Sequence, residues 1–198
     1  MQLKFFGVSL VLGGLLLILL NIFLTPLMPT DQGEAVLRTS RVYLIRVATS
    51  GVVAILMLLG CVGLYLAQRN TVGAFGTFAF LVAFVGTSLI VGVEWSNIFV
   101  LKSVAQSYPE ALGIIDQVKL MEIGFVTAAG LFAIGWILLA VSVIKTKIFA
   151  YWIPITVIAG IVLIAILGAT PLGFAGAIIG NAIFGFGVIA MGWKLAKA

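Results

Sequence analysis

Six long apolar runs separated by short polar interruptions dominate the chain, at residues 5–27, 43–67, 72–93, 123–144, 148–168 and 172–193. The apolar residues follow one another continuously, without the strict alternation of a membrane-spanning strand. Each run reaches the roughly 20 mostly apolar residues that cross about 30 Å of hydrocarbon. Lipid offers a backbone no hydrogen-bonding partner, so a run of this kind must satisfy its own amides and fold as a helix. The pattern therefore predicts an all-α fold, a polytopic transmembrane bundle of six helices forming a single domain over 1–198. The first run is too long for the apolar core of a typical signal peptide. The sequence after it, Leu24-Thr25-Pro26-Leu27-Met28-Pro29, offers no small-x-small cleavage site, so it reads as a retained first helix.

The interruptions carry the organisation. Over 92–112 the apolar signal breaks while the helical period continues, and Glu94, Trp95 and Asn97 arrive within four residues. The third helix is expected to run past Glu94 as an amphipathic extension to about Ala105. Ser107-Tyr108-Pro109-Glu110 then has capping-box spacing with a proline in the first turn. It predicts a short amphipathic helix over 108–118 with Leu112 and Ile115 facing inward. The whole segment 94–120 is thus read as interfacial, between helices three and four. Residues 28–41 form a polar link of mixed charge that ends in Thr39-Ser40, a pair able to cap the second helix.

Small residues recur where helices must approach closely. The third helix carries Gly76, Ala79, Ala83 and Gly86 at spacings of three and four. The sixth carries Gly173, Gly176, Gly180 and Gly187, with Asn181 beside them. Such stripes let backbones meet in lipid, so the second is read as a packing seam, within the bundle or between protomers. An amide at Asn181 suits a bond across that seam. Thr87 and Ser88 suit bonds back to their own helix, and Trp136 suits the core.

Composition sharpens the class and removes several functions. The chain is 63% hydrophobic and 9% charged, outside the range of soluble domains. It has no histidine and one cysteine, Cys61. Histidine triads, histidine-ligated zinc or haem, thiolate clusters and an intrachain disulfide are therefore excluded. No Gly-x-Ser-x-Gly elbow, Walker loop or dinucleotide fingerprint appears. No aspartate falls within a span, which removes an intramembrane aspartyl dyad. The chain is accordingly not read as an enzyme; no metal and no cofactor is expected.

The net charge of +5 reads as topology rather than nucleic-acid binding, because the basic residues form no stripe with interleaved aromatics. With six spans, one side receives Lys4, Arg69, Lys145, Lys147, Lys194 and Lys197 and no carboxylate. The other receives Arg38, Arg41, Arg46, Lys102 and Lys119 with all six acids, Asp31, Glu34, Glu94, Glu110, Asp116 and Glu122. The first group crowds short turns and tails, which places both termini in the cytoplasm by the positive-inside rule. Phe149, Tyr151 and Trp152, beside Lys145 and Lys147, suit an aromatic belt.

The outer ends of the first four helices bring Asn21, Arg46, Glu94, Trp95, Asn97 and Glu122 to similar depth. An ionisable group inside a span is costly and is usually paired. One reading pairs Arg46 with Glu94 or Glu122 beneath Trp95, lining a pocket open to the outer leaflet. The other leaves these residues at the water interface, snorkelling, with Trp95 as a belt residue.

Three pieces also carry a family resemblance: Glu94-Trp-Ser-Asn-Ile-Phe-Val with Tyr108-Pro-Glu-Ala-Leu112; Gly135-Trp-Ile-Leu-Leu with Lys145-Thr-Lys-Ile-Phe-Ala-Tyr-Trp152; and Gly180-Asn181. Together they resemble small bacterial six-span membrane proteins of unknown function, of the DUF4386 type. The resemblance implies six spans and a bacterial inner membrane, and no activity or residue roles. The functional expectation is a non-catalytic membrane protein whose outer-leaflet site takes a membrane lipid or a protein partner. The alternative is a small transporter or channel working as a homo-oligomer, with a hydrated path lined by Asn181, Thr87 and Ser88.

Overall fold

The computed structural model describes residues 2–115, 119–168, 170 and 173–197, with no strand among them. Helix α1 (Gln2–Leu19) runs on through a π turn at Leu20–Leu24 and a 3-10 turn at Thr25–Leu27. A short α2 (Glu34–Thr39) follows, opened by Gly33 at φ 89°, and leads into α3 (Arg41–Gln68). The link of mixed charge thus contains a helix of its own. Ser40 caps α3 as its sequence suggests, its Oγ accepting from the Tyr43 amide at 3.2 Å.

Helix α4 (Gly73–Ser96) continues without a break through a π turn at Asn97–Leu101 into α5 (Lys102–Ser107). The extension expected past Glu94 is therefore present, and it ends for a local reason. Pro109 forbids a helical conformation at Tyr108, which sits at φ −144°, ψ 62°. Proline then opens α6 (Pro109–Ile115), where its missing amide is harmless. Leu112 is buried. Asp116, the Ile115 side chain and the expected end of this helix at Val118 lie outside the described residues.

Helices α7 (Lys119–Thr146), α8 (Trp152–Gly168) and α9 (Gly173–Lys197) complete the chain. Much of the turn read at 169–172, with Leu172 as the start of the last span, lies outside the described residues. Five stretches are long and apolar enough to cross a membrane: Leu3–Leu27, Arg41–Gln68, Gly73–Ser107, Lys119–Thr146 and Ala175–Lys197. The fifth apolar run differs from its expected span of 148–168. Lys147 adopts a left-handed conformation at φ 56°, so the residues up to Tyr151 form a turn. The 17 residues left to α8 rise about 26 Å at 1.5 Å per residue.

Neighbouring long helices run antiparallel, and glycines mark where they meet. A Cβ on Gly14 of α1 would lie 2.6 Å from the Gly185 carbonyl oxygen of α9, and one on Gly192 equally close to the Gly7 carbonyl. The start of α1 and the end of α9 therefore share one end of the bundle. The other face of α9 meets α8: Gly180 faces Ile164 and the Gly160 carbonyl, and Gly187 faces Val157. The seam read in the last helix lies inside the protomer, with α9 held between α1 and α8. Gly173 takes no part, because nothing lies within 4 Å of a Cβ placed there. Asn181 does not bridge the seam either; its Nδ2 donates to the Ala177 carbonyl one turn back, at 2.8 Å.

Near the middle of their lengths α4 and α7 touch backbone to backbone. A Cβ on Gly86 would strike Leu131 and Phe132, and one on Gly135 would strike Ala83. Next to this contact the Trp136 ring packs edge-on to Phe184 at 5.7 Å, and its Nε1 donates to Thr87 Oγ1 at 3.1 Å. The centre of the bundle is thus a closed apolar core containing Met57, Leu139, Val157 and Phe184. Gly192→Ala should destabilise the protein by roughly 1–3 kcal/mol, because backbone atoms cannot move aside for the methyl. Gly124→Ala, with open space at its Cβ, should be neutral or slightly stabilising. Thermal melts in detergent distinguish the two.

Candidate functional site

The polar residues at the end of the bundle opposite the chain termini form one connected line. Glu34 and Arg38 are four apart on α2, the spacing that brings helical side chains together. Arg38 Nε lies 2.9 Å from Glu34 Oε2. Its N–H is not aligned on that oxygen, so the pair is a charge contact rather than a formed hydrogen bond. Arg38 Nη1 donates to Tyr43 OH and to Asn97 Oδ1, both at 3.2 Å. Asn97 Nδ2 donates in turn to Glu94 Oε2 at 3.4 Å, while Ser50 Oγ donates to Glu94 Oε1 at 2.5 Å. The line Glu34–Arg38–Asn97–Glu94–Ser50 therefore ties α2, α3 and α4 together.

Asn97 is the hub, and the backbone explains how it comes to be one. It opens the π turn of Asn97–Leu101, and the widened turn re-aims the side chains that follow it. Asn97 and the buried Leu101 face the bundle, whereas Phe99 and Val100 are exposed.

Of the two readings open for Arg46, its pairing with Glu94 or Glu122 is not formed. Arg46 Nε donates to Thr25 Oγ1 at 3.1 Å, and Thr25 donates to the Leu20 carbonyl at 3.2 Å. Among the described residues no ion pair joins Arg46 to Glu94 or Glu122. The reason is height along the helix: Ser50, one turn further along the same face of α3, is the residue level with Glu94, and Arg46 is level with Thr25. Asn21 also stays out of the line, with Nδ2 bonded to the Leu17 carbonyl at 2.9 Å. Trp95 is 59% exposed and packs on Phe99 with ring centres 5.1 Å apart, so it faces outward.

Glu122 sits in the first turn of α7, exposed and without an ion pair among the described residues. It lines a cavity of about 730 Å³ between α4 and α7 that also receives Arg38, Tyr43 and Asn97. Leu89 and Val93 of α4, with Phe125 and Ala128 of α7, form its apolar walls. The cavity exists because α4 and α7 separate beyond their contact at Gly86. Gly92 and Gly124, on facing walls, have nothing within 4 Å of a Cβ. The volume lies within the usual range for a small-molecule site, roughly 300–1,000 Å³.

The structure thus brings Glu94, Asn97 and Glu122 to one region and separates Asn21, Arg46 and Trp95 from it. Arg38, Tyr43 and Ser50 are functional candidates that sequence reasoning passed over as link and helix-start residues. The Glu34-x-x-x-Arg38 spacing was the available signal that the link is helical. In a double-mutant cycle, Ser50→Ala and Glu94→Ala should be non-additive, with a coupling of roughly 0.5–3 kcal/mol. Arg46→Ala and Glu94→Ala should instead add. Detergent melting of the single and double variants gives both numbers.

No family model matches this chain, and no curated protein or solved structure matches it either.

Proposed function

We propose that this chain is a non-catalytic membrane protein of six crossings that holds a membrane lipid in the outer-leaflet cavity between α4 and α7. The observation that carries the reading is the character of that cavity. Its mouth is polar, with Arg38, Tyr43, Asn97 and Glu122, and its walls are apolar, with Leu89, Val93, Phe125 and Ala128. That division matches the headgroup and chains of a lipid. A soluble solute would find most of its surface against apolar walls.

The sixth crossing in this reading is α8. Seventeen residues stand at the short end of the range for a transmembrane helix. Trp152 at its start is half exposed, as suits a headgroup-level anchor. The proposed sidedness has both ends of the chain in the cytoplasm of a bacterial cell, the inner membrane being what the family resemblance implies. Lys145 over the Phe75 ring and Lys197 over the Trp193 ring, at 4.1 and 4.4 Å, lie at that end.

A transporter or channel finds less support. Thr87, Ser88 and Asn181, which would line its path, each donate to a carbonyl of their own helix. The glycine seam it would use for oligomer contact is occupied by α8 at Gly176, Gly180 and Gly187.

Gly124→Trp should set an indole into the cavity, since Gly124 lines it and a Cβ there meets no atom within 4 Å. Native mass spectrometry of the purified protein should show bound phospholipid on the parent chain and its loss in the variant, at unchanged melting temperature. Unchanged lipid retention would rule the reading out. The sidedness has a separate check, because the native thiol Cys61 is fully buried and leaves a quiet background. In whole cells an impermeant maleimide should label Glu34→Cys and spare Lys197→Cys.

A further inference from the structure

We infer that the cavity selects a phospholipid whose headgroup carries both a phosphate and a protonated primary amine. The inference rests on the lipid-binding reading above and adds the chemistry of the headgroup. It follows from the charges at the cavity mouth. Arg38 enters from α2 and Glu122 from α7, so a cation and an anion line the same opening from different helices.

Their states differ. The Arg38 guanidinium already has Glu34 at 2.9 Å and directs Nη1 to Tyr43 and Asn97. It keeps Nη2, which has no protein partner among the described residues, for a ligand oxygen. Tyr43 OH accepts from Arg38, so its proton is free to donate to the same oxygen. Glu122 has no counter-ion among the described residues, and Glu94 stands behind Asn97 as a second carboxylate. The cavity lining therefore offers one partly compensated cation, Arg38, and one carboxylate without a counter-ion among the described residues, Glu122.

Three headgroup classes can be compared on that footing. A purely anionic head would satisfy Arg38 but meet Glu122 with like-charge repulsion. A quaternary ammonium would satisfy Glu122 electrostatically, yet it has no N–H to donate to the carboxylate. A primary ammonium has three donors, and a charge-assisted bond to a carboxylate is among the stronger hydrogen bonds. With phosphate on Arg38 and Tyr43 and ammonium on Glu122, both charged groups that line the cavity gain a partner.

The test offers the full chain in mixed micelles equal amounts of phosphatidylethanolamine, phosphatidylcholine and phosphatidylglycerol with the same acyl chains. Native mass spectrometry then reads the lipid retained. Phosphatidylethanolamine should be enriched about tenfold over each competitor, equivalent to about 1.4 kcal/mol. In Glu122→Gln phosphatidylethanolamine retention should fall to about the level of phosphatidylcholine, so that the preference over it becomes about onefold. Glu122 is exposed and unpaired, so this variant should fold, and its melting temperature verifies that it has. Equal retention of all three lipids, or a preference for phosphatidylglycerol, would overturn the headgroup assignment and leave the lipid site standing. Retention of no lipid at all, or lipid retention unaffected by Gly124→Trp, would overturn the lipid site itself.

Discussion

The close approach of α4 and α7 at Gly86 and Gly135 is the constraint from which the functional half of the molecule follows. In lipid there is little hydrophobic gain in pressing two apolar helices together, so contact depends on dispersion between surfaces that fit. Glycine supplies that fit by removing the side chain and letting one backbone rest on another. On one side of the contact the helices stay close enough for Trp136 to reach Thr87 and seal the core. On the other side they diverge, and the cavity opens where they part. Core and cavity are two consequences of a single crossing point. The same device holds α9, whose Gly185 and Gly192 face α1 while Gly180 and Gly187 face α8.

The polar groups at the end of the bundle opposite the chain termini are arranged by reach rather than by formal charge. Arg46 has a hydroxyl at 3.1 Å and takes it; Glu94 takes a hydroxyl and an amide. Desolvating two charges to pair them carries a penalty that Coulomb attraction does not always exceed. A short bond from a neutral donor satisfies a carboxylate without burying a second ion. The result is a line of neutral and charged partners that fixes α2 against α4 and holds Arg38 at the mouth of the cavity. Glu122 stands outside this line, which leaves its charge available to something else.

Much of this fold was legible because hydropathy sums over long windows and tolerates local error. The existence of the long helices, the Ser40 cap, the helical extension past Glu94 and the core place of Trp136 all follow from local pattern. What was not legible depends on how helices are set against one another, in height along the axis and in rotation about it. Arg46 and Ser50 are one turn apart on α3, and sequence alone does not say which of them meets Glu94. Gly173 and Gly180 share a spacing of seven, yet only the latter has a partner. The start of α8 was missed because a lysine at positive φ ends the preceding run, and lysine carries no signal for that conformation. Arg38 was passed over because its importance comes from α2 folding back on the π turn, a tertiary event.

The glycines of α4 and α7 make the last point about the cavity. In a helix glycine is less favourable than alanine by about 1 kcal/mol in water, a cost that close backbone contact can offset. At Gly86 and Gly135 the offset is visible in the backbone contacts it permits. At Gly92 and Gly124 no atom of the protein lies within 4 Å of a Cβ, and an alanine there would meet no steric objection from the chain. Both positions line the cavity, on helices that face each other across it. If the cavity held nothing, larger apolar residues at these positions would narrow it and add packing to the bundle. Small residues on both walls keep its width, and the unpaired carboxylate of Glu122 stands at its mouth. The two features have different physical origins, one steric and one electrostatic, and they meet at the same opening.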